Sequence, residues 1–288
     1  MKILKEQNIE DFIFIDIETA SIEENLTEGS ELYKSWEYKM RHGRDSEEGD
    51  LDSLFKEKST LYPEFSKIIT IVIGIVRNNQ LHLKAFADKD EKDLLENFNT
   101  SIMNILASNP KSRLVGHAIK IYDIPFIMTR CILNKVPLNP LIDTAHLKPW
   151  ELTCIDTHEL WKSTSLRGAS LINITVALGL PSPKDDMAGY ETTNTYYNDP
   201  NGLHKIVNYC KKDVIATAHV INACRYEPYL EVSDVKHEEK SVGTLEQLYN
   251  TKLTSDKQDK FILETYNKLT NKEKEIADEL IKIATYDK

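Results

Sequence analysis

The chain has 288 residues, of which 41% are hydrophobic and 28% charged, and its formal net charge is −10. This length holds one large domain with an extension, or two ordinary domains. The acidic balance argues against a nonspecific nucleic-acid binder, which usually carries a basic face. It does not argue against a site in which bound cations neutralise clustered acids.

Signals for membranes, secretion and zinc are missing from the sequence. No apolar run approaches the roughly 18–20 residues that span a bilayer, so we expect no membrane partner. The first residues, MKILKEQNIEDF, contain no apolar region typical of a signal peptide. The cysteines form no CxxC pair and have no zinc-type spacing with histidine. We therefore expect reduced thiols and a cytoplasmic location.

The first third of the chain predicts two strands separated by a polar insertion. Residues 12–17 (FIFIDI) form a short apolar run that ends in acids, which predicts a buried strand with functional side chains at its carboxyl end. In the polar stretch that follows, Leu32, Trp36 and Met40 recur at helical spacing and predict a helix. Residues 68–76 (IITIVIGIV) predict a long strand.

The middle of the chain predicts a hairpin followed by a helix and another strand. The pair Asn78-Asn79 joins the long strand to a second strand at residues 81–87. A helical apolar pattern covers residues 90–107, and RLVGH at 113–117 predicts the next strand.

The later elements alternate between strand and helix. A helix is predicted to start with Asp123 near its N-cap. Residues 154–161 (CIDTHELW) predict a strand that runs into a helix capped by Asp156. Two further helices are predicted over 170–180 and 203–224. This mixture predicts an α/β domain built on a mixed sheet.

The last part of the chain has a different character. Three capping-box patterns stand in series, and each precedes a short amphipathic stretch. We therefore predict one domain over residues 1–232 and a small helical C-terminal extension over 233–288, whose role the sequence leaves open.

Five side chains carry the candidate chemistry. Asp16 and Glu18 lie two residues apart at a strand end, so both leave on one face, where two carboxylates can hold a hard divalent cation. Tyr209 and Asp213 lie four residues apart and project from one face of a helix. Asp123 opens a helix, where an acid is also an ordinary cap. Each element alone is common as packing or capping, and only the combination indicates a site.

In combination and in order, these motifs resemble the DEDD superfamily of 3′→5′ exonucleases. Asn208 occupies the position at which the histidine branch carries histidine, so the resemblance is to the tyrosine branch. Flanking stretches extend it to the predicted stand-alone exonucleases related to the family B DNA polymerase proofreading domain, of the type found in Bacteroidetes and their phages. The stretches that carry this similarity are FIFIDIET, FSKIITIVIG, LVGHAIKIYDIPFI, ALGLPSPKDDM and YCKKDV.

The resemblance implies a ribonuclease H-like fold, with a mixed five-stranded sheet flanked by helices. It implies two Mg²⁺ or Mn²⁺ ions: Asp16 bridges both, Glu18 and Asp213 complete one, and Asp123 holds the second. The Tyr209 hydroxyl orients the attacking water. The implied reaction removes nucleoside 5′-monophosphates from DNA 3′ ends, single-stranded or frayed. The implied setting is replication, repair or proofreading in a bacterial or phage-infected cell.

Two positions depart from the family pattern, and three others are weaker candidates. Ala118 stands where the second motif usually has Asn, and Tyr122 where it usually has Phe. In related proofreading domains that Asn helps hold the terminal nucleotides, so we expect altered substrate positioning with metal binding retained. Thr19, His117 and Lys184 are candidates for substrate contact. A solvated loop lysine explains Lys184 equally well, and a strand-end histidine such as His117 is more often structural.

Two other functions fit the same residues. An RNA 3′-end trimming enzyme like ribonuclease D would share the fold and the metals, because the 2′-hydroxyl is recognised by details of the cleft. A catalytically silent module would bind DNA and recruit a replication or repair protein through the C-terminal helices, but the intact set of acids argues against it. Trp150 and Trp161 can stack on bases, yet core positions are the better interpretation.

Overall fold

The computed structural model describes residues 1–43, 46–148, 150–165, 167–180, 191–230 and 236–237. Lys184 lies outside these residues, as does the predicted extension at 233–288 apart from residues 236–237. In the part of the chain that is described, no helix is both long and apolar enough to cross a bilayer.

The centre of the fold is a mixed sheet. Its strands are β1 (Phe12–Ser21), β2 (Ser66–Arg77), β3 (Gln80–Phe86), β4 (Arg113–Gly116), β5 (Ile155–Asp156) and β6 (Lys236–His237). β2 pairs antiparallel with β1 and with β3, whereas β4 pairs parallel with β1 and with β5. The predicted mixed five-stranded sheet is confirmed, with the order β3-β2-β1-β4-β5, and the short β6 adds to the β3 edge.

Helices flank this sheet. In the described residues they are α1 (Lys2–Lys5), α2 (Glu31–His42), α3 (Leu51–Lys58), α4 (Glu91–Ser108), α5 (Asp123–Leu133), α6 (Thr157–Lys162), α7 (Leu171–Ala177), α8 (Thr192–Asn198) and α9 (Gly202–Arg225). Within the described residues, the structure confirms the predicted helices and adds α1, α3 and α8. The helices predicted for the C-terminal extension lie outside those residues. α8 is a run of Thr, Asn and Tyr without apolar periodicity, so a pattern search does not find it.

The predicted hairpin between β2 and β3 is also confirmed. Asn78 and Asn79 have φ values of 51° and 61°. Positive φ at both central residues is what a two-residue type I′ turn requires, and Asn tolerates this conformation better than most residues.

The central strand β1 is buried on both faces, which explains its unbroken apolar run. Ile13 and Ile15 belong to the core formed with α4 and α5. Phe12 and Phe14 belong to the core formed with α9. Because side chains alternate along a strand, Asp16 continues the face that packs against α9.

Residues 22–65 form an insertion between β1 and β2 with a core of its own. The Trp36 ring packs edge-to-face on Phe55 and Phe65, with centroids 5.4 and 5.0 Å apart. Its indole Nε1 donates a hydrogen bond to the Leu51 carbonyl at 3.1 Å. The helical spacing that predicted α2 therefore reflects a small satellite core rather than a face turned to the main sheet.

Candidate metal centre

The second half of β1 carries two acids toward α9. Asp16 and Glu18 leave the strand on the same face as Phe14. The pairing with β2 shifts register between Glu18 and Thr19, which marks a β-bulge. A bulge bends its strand and redirects the neighbouring side chains, and bulges are frequent beside active sites.

Helix α9 supplies the facing groups. Tyr209 and Asp213 lie one turn apart and are both buried. The helix lies directly on the sheet because Gly74 of β2 has no side chain: a Cβ there would lie 2.9 Å from Val214 Cγ1. A larger residue at position 74 would push α9, and with it Tyr209 and Asp213, away from β1.

Asp16, Glu18 and Asp213 form a compact cluster of carboxylates. One oxygen from each residue lies within 4.8 Å of the others. Burial raises the pKa of Asp16 well above its ordinary value, and the charges of Asp213, Glu18 and Asp123 raise it further. The three carboxylates repel one another at this distance. A hard divalent cation bound between their oxygens would offset that repulsion. The donor set therefore fits Mg²⁺ or Mn²⁺.

A thiol that the sequence pattern did not single out contacts Asp16. Cys210 Sγ donates to Asp16 Oδ2 at 3.2 Å and lies 3.3 Å from the Asp16 main-chain oxygen. Burial and the nearby Asp16 and Glu18 charges raise the pKa of Cys210, so the thiol keeps its proton and remains a donor. The sequence could have singled out Cys210 from its position on α9, three residues before Asp213 and on the same side of the helix.

Tyr209 lies beside the cluster with its phenol protonated. Burial raises the pKa of Tyr209, and the charges of Asp213, Glu18 and Asp16 raise it further. A neutral phenol can both donate and accept a hydrogen bond. The residue borders a cavity of about 810 Å³ with polar and lysine side chains in its lining.

Asp123 stands apart from the three-acid cluster. It is the first residue of α5 rather than its N-cap, which is Tyr122, and its side chain is buried. Burial raises the pKa of Asp123 to about 7 against opposing hydrogen bonds from its own amide and that of Ile17, and the charges of Asp156 and Asp213 add to the rise. Asp123, at the start of α5, therefore interacts electrostatically with the cluster through Asp213.

The loop before α5 is shaped by Asp156. Its carboxylate accepts the backbone amides of Ala118 at 2.9 Å and Lys120 at 3.3 Å, and it caps α6 through the His158 amide at 2.9 Å. Ala118 has a left-handed φ of 59°, which favours Asn or Gly over Ala. The predicted capping role of Asp156 is confirmed, and the same carboxylate fixes the loop that leads to Asp123.

The weaker candidates make contacts within the protein. Thr19 is buried, and its hydroxyl donates to the Thr60 carbonyl at 3.1 Å. His117 Nδ1 lies 3.0 Å from the Thr157 hydroxyl. Their contact with substrate stays a prediction, and Lys184 lies outside the described residues.

The core interpretation of two tryptophans is wrong. Trp150 is 77% exposed and Trp161 is 41% exposed. Trp150 follows an irregular segment rich in Pro and Asn whose Val136 and Ile142 pack into the core, whereas Trp161 lies on α6.

The fold and the acids together define a class of protein. It is an α/β protein with a mixed sheet of order β3-β2-β1-β4-β5 and a candidate divalent-metal centre beside its central strand. A family model described as the RNase_H superfamily matches residues 56–225, which is more than half of the chain. The chain belongs to the RNase_H superfamily.

The matched region includes Asp123, Tyr209 and Asp213, whereas Asp16 and Glu18 precede it. The first two acids are nevertheless part of the same sheet, because β1 pairs with β2 and β4 from within the matched region. The fold therefore places Asp16 and Glu18, which precede the matched region, beside Asp213, which lies within it.

The chain was also compared with solved structures and with curated proteins. The chain is similar to the family B DNA polymerase from the hyperthermophilic archaeon Pyrobaculum calidifontis, with a TM-score of 0.47 and 13% identity. The similarity covers 74% of this chain and 24% of the polymerase chain, so this chain spans about a quarter of that protein's length. A comparison with curated proteins gave no match.

Proposed function

We propose that this protein is a metal-dependent 3′→5′ exonuclease of the DEDD class with tyrosine, acting on single-stranded or frayed DNA 3′ ends. The observation that carries the proposal is the cluster of Asp16, Glu18 and Asp213, whose oxygens lie within 4.8 Å of one another beside the buried Tyr209. Membership of the RNase_H superfamily supports a nuclease. The order of the acidic motifs supports the 3′→5′ branch.

The residues of the chain have distinct roles in this proposal. Asp16, Glu18 and Asp213 would hold one Mg²⁺ or Mn²⁺, and Asp123 would contribute to a second that shares Asp16. When bound, the ions supply an acidified water and stabilise charge on the phosphate. Tyr209 would orient that water through its hydroxyl, which keeps its proton because burial raises the pKa of the phenol.

A time course on end-labelled DNA tests the proposal. The substrates are single-stranded, recessed, blunt and mismatched 3′ ends, each labelled at the 5′ end or at the 3′ end, with Mg²⁺, Mn²⁺ or chelator. We expect a descending ladder from 5′-labelled strands, immediate release of a labelled mononucleotide from 3′-labelled strands, and no reaction in chelator. Single-stranded and mismatched ends should react fastest.

The same assay separates the alternatives. Internal fragments from a strand blocked at its 3′ end would contradict an exonuclease. A matched RNA strand tests the RNA 3′-end trimming alternative. Faster digestion of RNA than of DNA would identify RNA as the substrate. Binding of the DNA without any metal-dependent hydrolysis would favour the silent module, in which the extension at 233–288 contacts a replication or repair protein.

A further inference from the structure

The insertion at residues 22–65 contacts α5 beside the metal centre. The Tyr122 hydroxyl donates to the Thr60 carbonyl at 2.8 Å. Further along the helix, Arg130 Nη1 donates to the Pro63 carbonyl at 2.9 Å. Thr60 lies in a short 3-10 helix, Ser59–Leu61, and Pro63 lies between that helix and β2, so the end of the insertion is fixed along the helix that begins with Asp123.

The contact at Thr60 joins the two halves of the acid site. The same carbonyl accepts the Thr19 hydroxyl at 3.1 Å, and the Thr19 and Tyr122 hydroxyl oxygens lie 3.2 Å apart. Thr19 directly follows Glu18, and Tyr122 directly precedes Asp123. One small group of hydroxyls and a carbonyl therefore connects the backbone next to a β1 acid with the backbone next to the α5 acid.

Burial makes this connection energetically significant. Thr19 is 4% exposed, and desolvation raises the pKa of the Tyr122 phenol, which keeps its proton. A buried hydroxyl that loses its partner cannot exchange it for water, so the arrangement resists rearrangement. The loop before Tyr122 is held by the Asp156 carboxylate, by the Lys120–Glu159 ion pair and by the buried Ile119. The Asp123 carboxylate accepts the Ile17 amide of β1, and the Tyr122 hydroxyl adds a second link to β1, at the residue next to Glu18.

We propose that Tyr122 is a positioning residue, whose hydroxyl fixes the Asp123 carboxylate relative to Glu18 and couples the insertion to metal binding. The inference rests on the proposed metal site. It assigns the insertion a role in the affinity for the second ion, because Asp123 is the acid that contributes to that ion. Tyr122 touches neither the ions nor the substrate in this role.

The test compares two tyrosine hydroxyls that both hold a boundary of the insertion. Tyr122→Phe removes the bond to Thr60, whereas Tyr197→Phe removes hydrogen bonds to the Ser21 and Ile22 carbonyls, each 3.0 Å long, at the other end of the insertion. Mn²⁺ binding to the full chain is measured by calorimetry and by electron paramagnetic resonance. The Mn²⁺ concentration for half-maximal DNA hydrolysis is measured in parallel.

We expect Tyr122→Phe to weaken the lower-affinity Mn²⁺ site by about 10-fold, the low end for residues that orient metal ligands. The hydrolysis rate should recover at saturating Mn²⁺, while Tyr197→Phe leaves both measurements unchanged. Thr19→Val, which removes the second hydroxyl, should shift Mn²⁺ affinity in the same direction as Tyr122→Phe.

Three outcomes overturn the inference. Wild-type Mn²⁺ affinity in Tyr122→Phe contradicts it even if the variant melts earlier, because the hydroxyl is then only structural. Equal loss of affinity in Tyr197→Phe contradicts it too, since any loosening of the insertion would then suffice. Failure of the proposed function is seen separately, as absence of Mn²⁺ binding and hydrolysis in the wild type, and it removes the inference as well.

Discussion

The two halves of the candidate site are built on different kinds of structure. Four of its five side chains stand on β1 and α9, a central strand and a long helix packed directly against it. Asp123 instead follows an irregular loop in which Ala118 has a left-handed backbone. Core packing fixes the first half, whereas in the second half the hydrogen bonds of Asp156 act together with the buried Ile119 to fix the approach to Asp123.

This difference predicts how each half responds to change. In the β1–α9 half, displacing one acid means moving a packed helix, because α9 lies so close to β2 that a Cβ at Gly74 would be 2.9 Å from Val214 Cγ1. In the α5 half, the position of Asp123 also depends on hydrogen bonds that join distant parts of the chain. We therefore expect all-or-none effects from the first half and graded effects from the second.

The largest effect is expected from Asp16→Asn. Metal-dependent hydrolysis should fall by at least about 10³-fold, because a bound ion contributes several kcal/mol of transition-state stabilisation. In chelator at neutral pH the variant should melt above the wild type. The reason is that the neutral amide avoids both the burial of a charge and the repulsion from Asp213 and Glu18 that raise the pKa of Asp16. Initial rates and thermal denaturation measure the two effects.

Two further variants control for this result. Asp93→Asn removes an exposed acid of α4 and should leave the rate unchanged. Asp213→Ala should lose activity independently of Asp16. Full activity in Asp16→Asn, with contaminating nuclease excluded by purification of an inactive Asp213→Ala protein, would exclude the proposed metal centre.

Tyr209→Phe should lower the rate about 10–100-fold, equivalent to about 1.4–2.8 kcal/mol, with Mn²⁺ affinity unchanged. The reason is that the hydroxyl positions water, while the carboxylates bind the ion. Tyr226→Phe, at the exposed end of α9, is the matched control. A parallel loss of Mn²⁺ affinity would show that Tyr209 supports the acids rather than the water.

The β1–α9 half could be predicted from sequence because its geometry is local. Alternation along a strand places Asp16 and Glu18 on one face, and one helical turn separates Tyr209 from Asp213. What could not be predicted is the bulge after Glu18, since it depends on how β2 pairs.

The α5 half resisted prediction because its contacts join distant parts of the chain. Asp156 meets Ala118 across 38 positions, and Thr60 meets Tyr122 across 62. No periodic pattern encodes such pairs. The same limit explains the two tryptophans: their type favours burial, but only the assembled fold decides which residues of a loop or a short helix are covered.

The pH dependence of stability should expose the α5 half in the metal-free protein. The pKa of Asp123 rises from 3.8 to about 7 on folding, so the folded state holds the extra proton between these values. The contribution of Asp123 to the unfolding free energy is therefore largest below about pH 4. It falls as pH rises toward 7, by up to about 1.4 kcal/mol per pH unit for one full proton.

Asp123→Asn should remove its part of that fall, and thermal denaturation in chelator from pH 5 to 8 measures the difference. Saturating Mn²⁺ should also flatten the wild-type profile, because the ion displaces the proton. An identical slope in wild type and Asp123→Asn would contradict a raised pKa at this residue.

The smallest effect is expected at Ala118, where the loop carries its own strain. A left-handed backbone costs an L-residue with a Cβ roughly 1–2 kcal/mol, and Gly avoids this while losing more entropy on folding. Ala118→Gly should therefore raise the unfolding free energy by about 0.5–1 kcal/mol in urea denaturation, and the amide can still donate to Asp156. The matched control is Ala107→Gly in α4, where a helical backbone makes the same change destabilising by about 0.5–1 kcal/mol. If the unfolding free energy rises for Ala118→Gly and falls for Ala107→Gly, the loop before Asp123 is held in a strained conformation. If it falls for both variants, the backbone at Ala118 is not strained.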